Sequence, residues 1–294
     1  MTDDPHWPRA SAWLADGGPL DGRTLALVGV PLSKTSISPS GAHTTPAAIR
    51  RALHRFASFH SAGVDLTQSV RVHDHGDLDV ADADVHDADL RTAAALAELE
   101  LDVELVVLLG GDNALTRPAM RALMPLRTSG LLTLDAHHDV RDFHAGATNG
   151  TPVRGLVEDG LSYVAQIGIG TLSNSADYRA WCHSFSVIGV DEARGRLGTV
   201  VRERLDALAE RCDHLYVDLD VDVVDSAFVP GCPGARPGGL APHELLEAAL
   251  EAGRHPKVRA VDITEVDATR DPDGRTVDLA AMCLLTAAAG LAQR

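Results

Sequence analysis

The sequence predicts an α/β fold, a three-layer α/β/α sandwich around a mainly parallel central sheet. Short β-branched or leucine-rich runs alternate along the chain with Ala/Leu/Glu/Arg-rich segments of helical period. The expected strands are continuous apolar runs, which is typical of parallel strands covered by helices on both faces. No low-complexity linker divides the 294 residues, so we expect a single domain over residues 1–294.

The expected elements follow the apolar runs and helical patterns in chain order. Strands are predicted at 24–30, 103–109, 131–134, 164–169, 186–188, 215–219 and 258–263. Helices are predicted at 46–56, 87–100, 117–123, 199–211, 242–252 and 277–289. Two of these helices begin at a proline, Pro46 and Pro242, which is a common residue of the first helical turn. The polar, acidic stretch 74–89 is interpreted as a surface loop that leads into the next helix.

Charge and composition exclude several classes of partner. The formal net charge is −16, from 42 acidic and 26 basic residues, which opposes nonspecific binding to nucleic acid or to an anionic membrane. Residues 1–8 lack the apolar core of a signal peptide, and no apolar run approaches membrane-spanning length. The four cysteines lack Cys-x-x-Cys spacing, as expected of reduced thiols in a cytoplasmic protein. We therefore expect a cytoplasmic protein that binds neither nucleic acid nor membrane.

Two acidic segments each follow an apolar run that is predicted to be a buried strand. They are Asp135-Ala-His-His-Asp139 and Asp218-Leu-Asp-Val-Asp222. Residues two apart on an extended chain point to the same side, so these side chains should converge. A single Asp would more simply cap a helix, but clustered buried carboxylates need compensating positive charge. Carboxylates with one imidazole suit Mn²⁺, with Zn²⁺, Fe²⁺ and Co²⁺ as alternatives. The expected ligands are Asp135, His137, Asp139, Asp218 and Asp220.

Three motifs together resemble the ureohydrolase family, which includes arginase, agmatinase and formimidoylglutamase. Gly110-Gly-Asp-Asn113, Asp135-Ala-His-x-Asp139 and Asp218-x-Asp220 match the family signatures in order. Further matches lie at 41–50, 76–78, 149–152, 230–240 and 265–267, so the resemblance extends from about residue 25 to 291. It implies an arginase-like α/β/α fold, a binuclear manganese centre, and attack of metal-bound hydroxide on a guanidino or formimidoyl carbon. It also implies a homo-oligomer, a trimer or a hexamer.

The resemblance assigns roles to residues by position. Asp135 and Asp218 would bridge the two ions. His137 and Asp220 would complete one ion, and Asp139 would serve the other. Glu265 would bind the positively charged guanidinium-like group of the substrate, and Asp220 would help to move the proton. Asp220 and Glu265 are therefore the expected catalytic residues.

Two asparagines depart from the family pattern. Asn113 stands where the family usually has His, and Asn149 stands where many members have His. Asn can coordinate a metal through its carbonyl oxygen but is a weaker ligand than imidazole. We therefore expect two Mn²⁺ per chain, with the site of Asn113 weakened. Asn149 is expected to bind substrate without the titratable group of His. His138 and His144 could replace that group, although exposed loop histidines are the simpler interpretation.

Arginines near these motifs are candidates for binding a substrate carboxylate. The segment from Asp135 to Arg141 and the segment from Asn149 to Arg154 resemble the corresponding segments of formimidoylglutamases. Arg141, Arg154 and also Arg236 could each form a bidentate pair with a carboxylate. Pairing with neighbouring acidic residues is an equally plausible role for any one of them.

Formimidoylglutamate carries two carboxylates, whereas agmatine carries none. The leading hypothesis is a metal-dependent hydrolase of a linear amidine, a formimidoylglutamase that converts N-formimidoyl-L-glutamate into L-glutamate and formamide. The alternatives are an agmatinase, an arginase or another guanidino-acid ureohydrolase. A catalytically impaired paralogue is a further alternative, because of Asn113 and Asn149.

Overall fold

A computed structural model describes residue 4 and residues 6–99 and 101–294. Part of the N-terminal segment 1–8 and Glu100, the last residue of the predicted helix 87–100, lie outside the described residues. The strands are β1 Arg23–Val30, β2 Phe59–His60, β3 Val64–Asp65, β4 Val70–Asp77, β5 Leu105–Gly110, β6 Ser129–Leu134, β7 Tyr163–Ile169, β8 Ser186–Gly189, β9 His214–Asp220 and β10 Val258–Thr264. The helices are α1 Ala10–Asp16, α2 Thr45–Ala52, α3 Leu66–Ser69, α4 Ala88–Ala97, α5 Thr116–Leu123, α6 Pro152–Glu158, α7 Ala176–Trp181, α8 Val190–Ala193, α9 Leu197–Ala209, α10 Pro242–Arg254 and α11 Arg275–Leu291.

Eight of these strands form one parallel sheet in the order β4-β1-β5-β10-β9-β6-β7-β8. Successive residues of β1 enter two separate apolar cores, with Leu25 and Leu27 in one and Ala26 and Val28 in the other. This alternation follows from the two-residue period of a strand. Helices α1, α2, α9, α10 and α11 contribute to the first core, and α4 to α7 pack on the second. The predicted α/β/α sandwich is confirmed.

One strand of the eight-stranded sheet was missed, because it lies at the edge of that sheet; the two-residue strands β2 and β3, which pair apart from it, were missed as well. Strand β4 pairs with β1 and is buried only at alternate positions near its start, Val70 and Val72. Its second half, which the sequence had assigned to the polar loop 74–89, is polar because one side of an edge strand faces solvent. Arg50 fixes this half by ion pairs to Asp74 and Asp77.

The four central strands end at a common crevice. Strands β5, β10, β9 and β6 are neighbours, and because they are parallel, their carboxyl ends lie at the same edge of the sheet. The predicted functional motifs lie at or just after these four strand ends. Within the described part of the chain, no helix combines the length and apolar character needed to cross a membrane.

Candidate metal centre and active site

A cleft of about 160 Å³ opens at the carboxyl ends of the central strands. Its floor is formed by acidic residues and one imidazole. They are His137, Asp139, Asp220, Asp222 and Glu265. Of the residues that the sequence predicted as ligands, His137, Asp139 and Asp220 therefore line the cleft, whereas Asp135 lies beneath it and is 1% exposed.

The densest group of ligand atoms is formed by Asp135, His137 and Asp222. One atom from each side chain lies within 4.8 Å of the other two. His137 Nδ1 is 2.6 Å from Asp222 Oδ2 and 3.5 Å from Asp135 Oδ1. Burial alone would lower the pKa of His137, but the carboxylates of Asp222 and Asp135 raise it to about 12. The imidazole is thus held by negative charge on two sides.

The Asp135 carboxylate shows that the cluster of Asp135, His137 and Asp222 suits a metal ion. Burial, together with the carboxylates of Asp139 and Asp222, raises the pKa of Asp135 well above its usual range. Its Oδ1 accepts a hydrogen bond of 2.5 Å from the backbone N–H of His137. Its Oδ2 is buried and has no hydrogen-bond partner among the described residues. A divalent cation would satisfy this oxygen, so the residues present fit a metal centre.

Asp139 and Asp220 approach the cleft from different elements. Asp220 is the last residue of β9, and burial followed by the charges of Asp222 and Asp135 raises its pKa well above its usual range. Asp139 lies in the loop after β6, where its φ of 53° shows that the chain is no longer extended. Burial raises the pKa of Asp139 to about 7. The predicted convergence of the 135–139 segment therefore arises from a loop and not from strand alternation.

Asp218 lies away from the cleft, and Asp222, which was not among the predicted ligands, lies in it. Asp218 lies in the interior of β9, one pleat or about 7 Å before Asp220, beside Asp262 of β10. It faces the Asn113 amide and the Thr264 hydroxyl, at 3.4 Å and 3.5 Å, and does not line the cleft. Asp222, which the sequence-based ligand set omitted, does line it. The signal was present, since Asp222 follows Asp220 at the same two-residue interval, although β9 ends at Asp220 and Asp222 lies in the turn after it.

Glu265 is held at the end of β10 by two donors. Its Oε1 accepts hydrogen bonds from the backbone N–H of Asn113, at 2.8 Å, and from Asn149 Nδ2, at 2.9 Å. Its φ of 62° is rare for a residue with a side chain, and such strain is often found at functional sites. Burial and then the charge of Asp112 raise the pKa of Glu265 to about 8.

Asn149 connects Glu265 to a loop that forms one wall of the cleft. Its Oδ1 accepts a hydrogen bond of 3.0 Å from the backbone N–H of Ile37, a residue of that wall. The buried carboxylate of Asp112 fixes the same loop, because it accepts hydrogen bonds from the hydroxyls of Thr35 and Ser36 at 2.7 Å and 2.9 Å. Sequence reasoning did not identify this wall, since its serines match no signature of their own.

The three candidate arginines have different surroundings. Arg141 and Arg236 both line the cleft. Arg141 lies against Gly150, where a Cβ atom would approach the Arg141 Cδ to 2.7 Å, so the glycine leaves room for this side chain. Arg154 donates from Nε to the Val140 carbonyl at 2.8 Å, and its guanidinium lies 5.0 Å from the ring centroid of Trp181. The structure brings two of the three to the cleft.

His138 and His144, the two candidates to replace the imidazole that is absent at Asn149, lie outside the cleft. His138 is buried, with Nδ1 2.7 Å from Gln166 Oε1. His144 has a side chain that is 92% exposed, with Nε2 3.6 Å from Asp142 Oδ2. Neither lines the cleft.

Comparison with known proteins identifies the family. The model of the arginase family matches residues 23–290, which is most of the chain. The chain belongs to the arginase family. The formimidoylglutamase of Bacillus subtilis strain 168 is 36% identical over 277 residues, covering 90% of this chain and 86% of that protein. The formimidoylglutamase of Halalkalibacterium halodurans is 37% identical over 268 residues, covering 87% and 83%.

Two solved structures are similar to this chain in fold. The crystal structure of the Bacillus subtilis formimidoylglutamase has a TM-score of 0.89 at 32% sequence identity and covers 99% of this chain and 94% of that one. A formiminoglutamase of Trypanosoma cruzi, solved with Mn²⁺, has a TM-score of 0.84 at 22% identity, with 98% and 99% covered. The second similarity is evidence for the fold alone.

Proposed function

We propose that this arginase-family member is a formimidoylglutamase, which hydrolyses N-formimidoyl-L-glutamate to L-glutamate and formamide. The observation that carries the proposal is one cleft in which a buried carboxylate–imidazole cluster lies together with Glu265 and with two arginines. This combination suits a substrate that has a cationic amidine at one end and carboxylates at the other. The names and the coverage of the two bacterial relatives support the same substrate. We assign the activity to one catalytic domain that comprises the whole chain.

The proposed ligands differ in one residue from those expected from the sequence. We assign Asp135, His137, Asp139, Asp220 and Asp222 to two Mn²⁺ ions, with Asn113 as a weaker ligand. The four carboxylates of this set match the charge of two divalent cations, so the buried acids are compensated. When bound, the metal supplies a water nucleophile of lowered pKa and polarises the group under attack.

The residues of the chain bind and orient the substrate around that nucleophile. Glu265 holds the amidinium group by opposite charge, and its two donors fix the carboxylate direction before substrate arrives. The water oxygen bonds to the formimidoyl carbon, and the bond from that carbon to the glutamate nitrogen breaks. Asp220 accepts a proton of the water and returns it to the leaving nitrogen. The products are formamide and an amino acid with a free amine.

Arg141 and Arg236 are proposed to bind the carboxylates of the glutamate portion. Arg141→Gln should raise KM for formimidoylglutamate about 10–100-fold, because it removes a charge-assisted contact present in both the bound substrate and the transition state. Arg154→Gln is the matched control, since Arg154 points to Val140 and Trp181. Steady-state kinetics of both variants check this, and an equal effect of the two would contradict the assignment.

Identification of the products is the decisive test of the function. Purified protein loaded with Mn²⁺ is incubated separately with formimidoylglutamate, agmatine, arginine and guanidino acids, and the products are identified. Formamide and glutamate from the first substrate support the proposal. Urea from a guanidino substrate without formamide would place the chain with the agmatinases, arginases or other ureohydrolases. No turnover with any substrate would favour the impaired paralogue.

The compartment and the oligomeric state of the enzyme are also proposed. We place the enzyme in the cytoplasm as a homo-oligomer, a trimer or hexamer, acting on a small molecule and not on nucleic acid or membrane. The four cysteines are free and buried, as suits a reducing compartment. Light scattering of the purified protein measures the oligomeric state.

A further inference from the structure

A chain of buried polar groups lies behind Asn113. Thr116, in the first turn of α5, places its Oγ1 2.7 Å from Asn113 Oδ1 and 2.8 Å from Asp262 Oδ2. The Tyr216 hydroxyl donates to the same Asp262 oxygen at 2.7 Å. On its other side the Asn113 amide nitrogen lies 2.8 Å from Asp139 Oδ2 and 3.4 Å from Asp218 Oδ2. Apart from partly buried Asp139, all these residues are buried.

In the amide orientation described above, the Thr116 hydroxyl would have to donate two protons, although it carries one. A threonine hydroxyl carries one proton and can donate it to one acceptor only. In the described orientation, Asn113 Oδ1 and Asp262 Oδ2 both require the proton of Thr116. A hydrogen bond to a carboxylate is the stronger of the two, so Thr116 donates to Asp262. The Asn113 carbonyl then lies against a hydroxyl oxygen without a proton between them.

Rotation of the amide by half a turn about its terminal bond removes the conflict. The Asn113 NH₂ group then donates to Thr116, Thr116 donates to Asp262, and the Tyr216 hydroxyl also donates to Asp262. The Asn113 carbonyl oxygen now faces Asp139 and Asp218, at the short separations recorded above. An amide oxygen this close to ionised carboxylates is repelled by them unless a cation lies among them. The two orientations of the amide thus suit two states of the centre, one without a cation and one with it.

We propose that Thr116, held by Asp262, is a positioning residue that turns the Asn113 carbonyl oxygen toward the metal centre. This inference rests on the metal centre of the proposed function. A protein that lacks the usual His at position 113 can thus still present a neutral ligand, because the Thr116 hydroxyl accepts a hydrogen bond from the amide NH₂ group. A residue that hydrogen-bonds to a metal ligand typically contributes about 10–100-fold to metal affinity.

Replacement of Thr116 by valine tests the proposal, because the shape of the side chain is kept and the hydroxyl is lost. Metal-depleted protein is titrated with Mn²⁺ by calorimetry and by electron paramagnetic resonance. T116V should weaken binding of one ion about 10–100-fold and leave the other unchanged, whereas T116S should bind like the parent. T133V is a matched control, since Thr133 is buried in β6 and its hydroxyl has no hydrogen-bond partner among the described residues.

A double-mutant cycle separates positioning from general support of the fold. In an Asn113→Ala background, T116V should cause no further loss of Mn²⁺ affinity, because the group that Thr116 positions is absent. T116A is the second variant to titrate if T116V does not fold. Two ions bound by T116V as tightly as by the parent, or the same loss in the Asn113→Ala background, would overturn this inference alone. Failure of the parent to bind Mn²⁺ would instead overturn the proposed function.

Discussion

The two halves of the proposed metal centre are built from different ligand chemistry. The His137 half consists of Asp135, His137 and Asp222, whose ligand atoms lie within 4.8 Å of one another. The Asn113 half consists of Asn113 and Asp139, with Asp218 behind them, and its neutral ligand is an amide that bonds to Thr116. The first half is preorganised by charge, whereas the second depends on which end of an amide faces the cleft. We infer that the first binds metal more tightly.

The largest expected effect comes from removing the carboxylate that only the structure identified. Asp222→Asn should lower the affinity of the tighter Mn²⁺ by more than about 100-fold, because loss of a ligand exceeds the usual cost of losing a supporting contact. Turnover of formimidoylglutamate should fall with it. Isothermal titration and steady-state kinetics provide the measurements.

Asp218→Asn is the matched variant, since Asp218 lies inside β9, four residues before Asp222 in the turn that follows the strand. Its carboxylate lies one pleat below the cleft, so its replacement should cost less Mn²⁺ affinity than Asp222→Asn and should act on the Asn113 half. If instead Asp218→Asn removed the tighter ion while Asp222→Asn did not, Asp218 would have the bridging role that the family resemblance implies, and the tighter ion would not lie in the His137 half.

A smaller effect is expected from Asn113→His. Imidazole in place of the amide should raise the affinity for the weaker Mn²⁺ on the order of tenfold. Metal binding at this position then no longer depends on an amide orientation that Thr116 sets. The affinity of the tighter ion should not change. Metal titration of the variant checks this, and an unchanged weaker site would remove residue 113 from the ligand set.

The smallest expected effect is a pH dependence of the metal-free protein. Burial raises the pKa of Asp139 to about 7 and that of Glu265 to about 8, so both groups bind more protons in the folded than in the unfolded state. Their stabilising contribution is complete below the unfolded pKa near 4 and is lost as pH rises through the folded values. The Tm with a chelator should therefore fall between about pH 5 and 8.

Saturating Mn²⁺ should remove this fall in Tm, because metal binding favours the ionised carboxylates. Glu265→Gln, measured with chelator, should reduce the dependence on pH, since one of the two groups no longer titrates. Calorimetric melting curves at several pH values provide the data. A metal-free Tm that increased across this range would show that the cluster is compensated in another way.

Much of the fold could be predicted from the sequence because the central strands are buried on both faces. Apolar runs such as those of β1 and β5 have no exposed side, so they can be recognised without tertiary information. The edge strand β4 could not be recognised, since its polar half packs through Arg50 and not through an apolar core.

The candidate site was predictable to the level of the motif but not of the side chain. The sequence located both acidic segments, yet it could not show that β9 continues through Asp220 and buries Asp218 within the sheet. That boundary decides which carboxylates of an alternating run reach the cleft. The direction of Arg154 also depends on a tertiary contact, its stacking on Trp181, which no local spacing reveals.

A crystal structure with Mn²⁺, with anomalous data collected at the manganese absorption edge, shows directly which side chains bind the two ions. We expect two anomalous peaks in the cleft, the stronger contacting Asp135, His137, Asp220 and Asp222, and the weaker contacting Asp139 and the Asn113 carbonyl oxygen. No peak among these carboxylates at saturating Mn²⁺ would contradict this expectation.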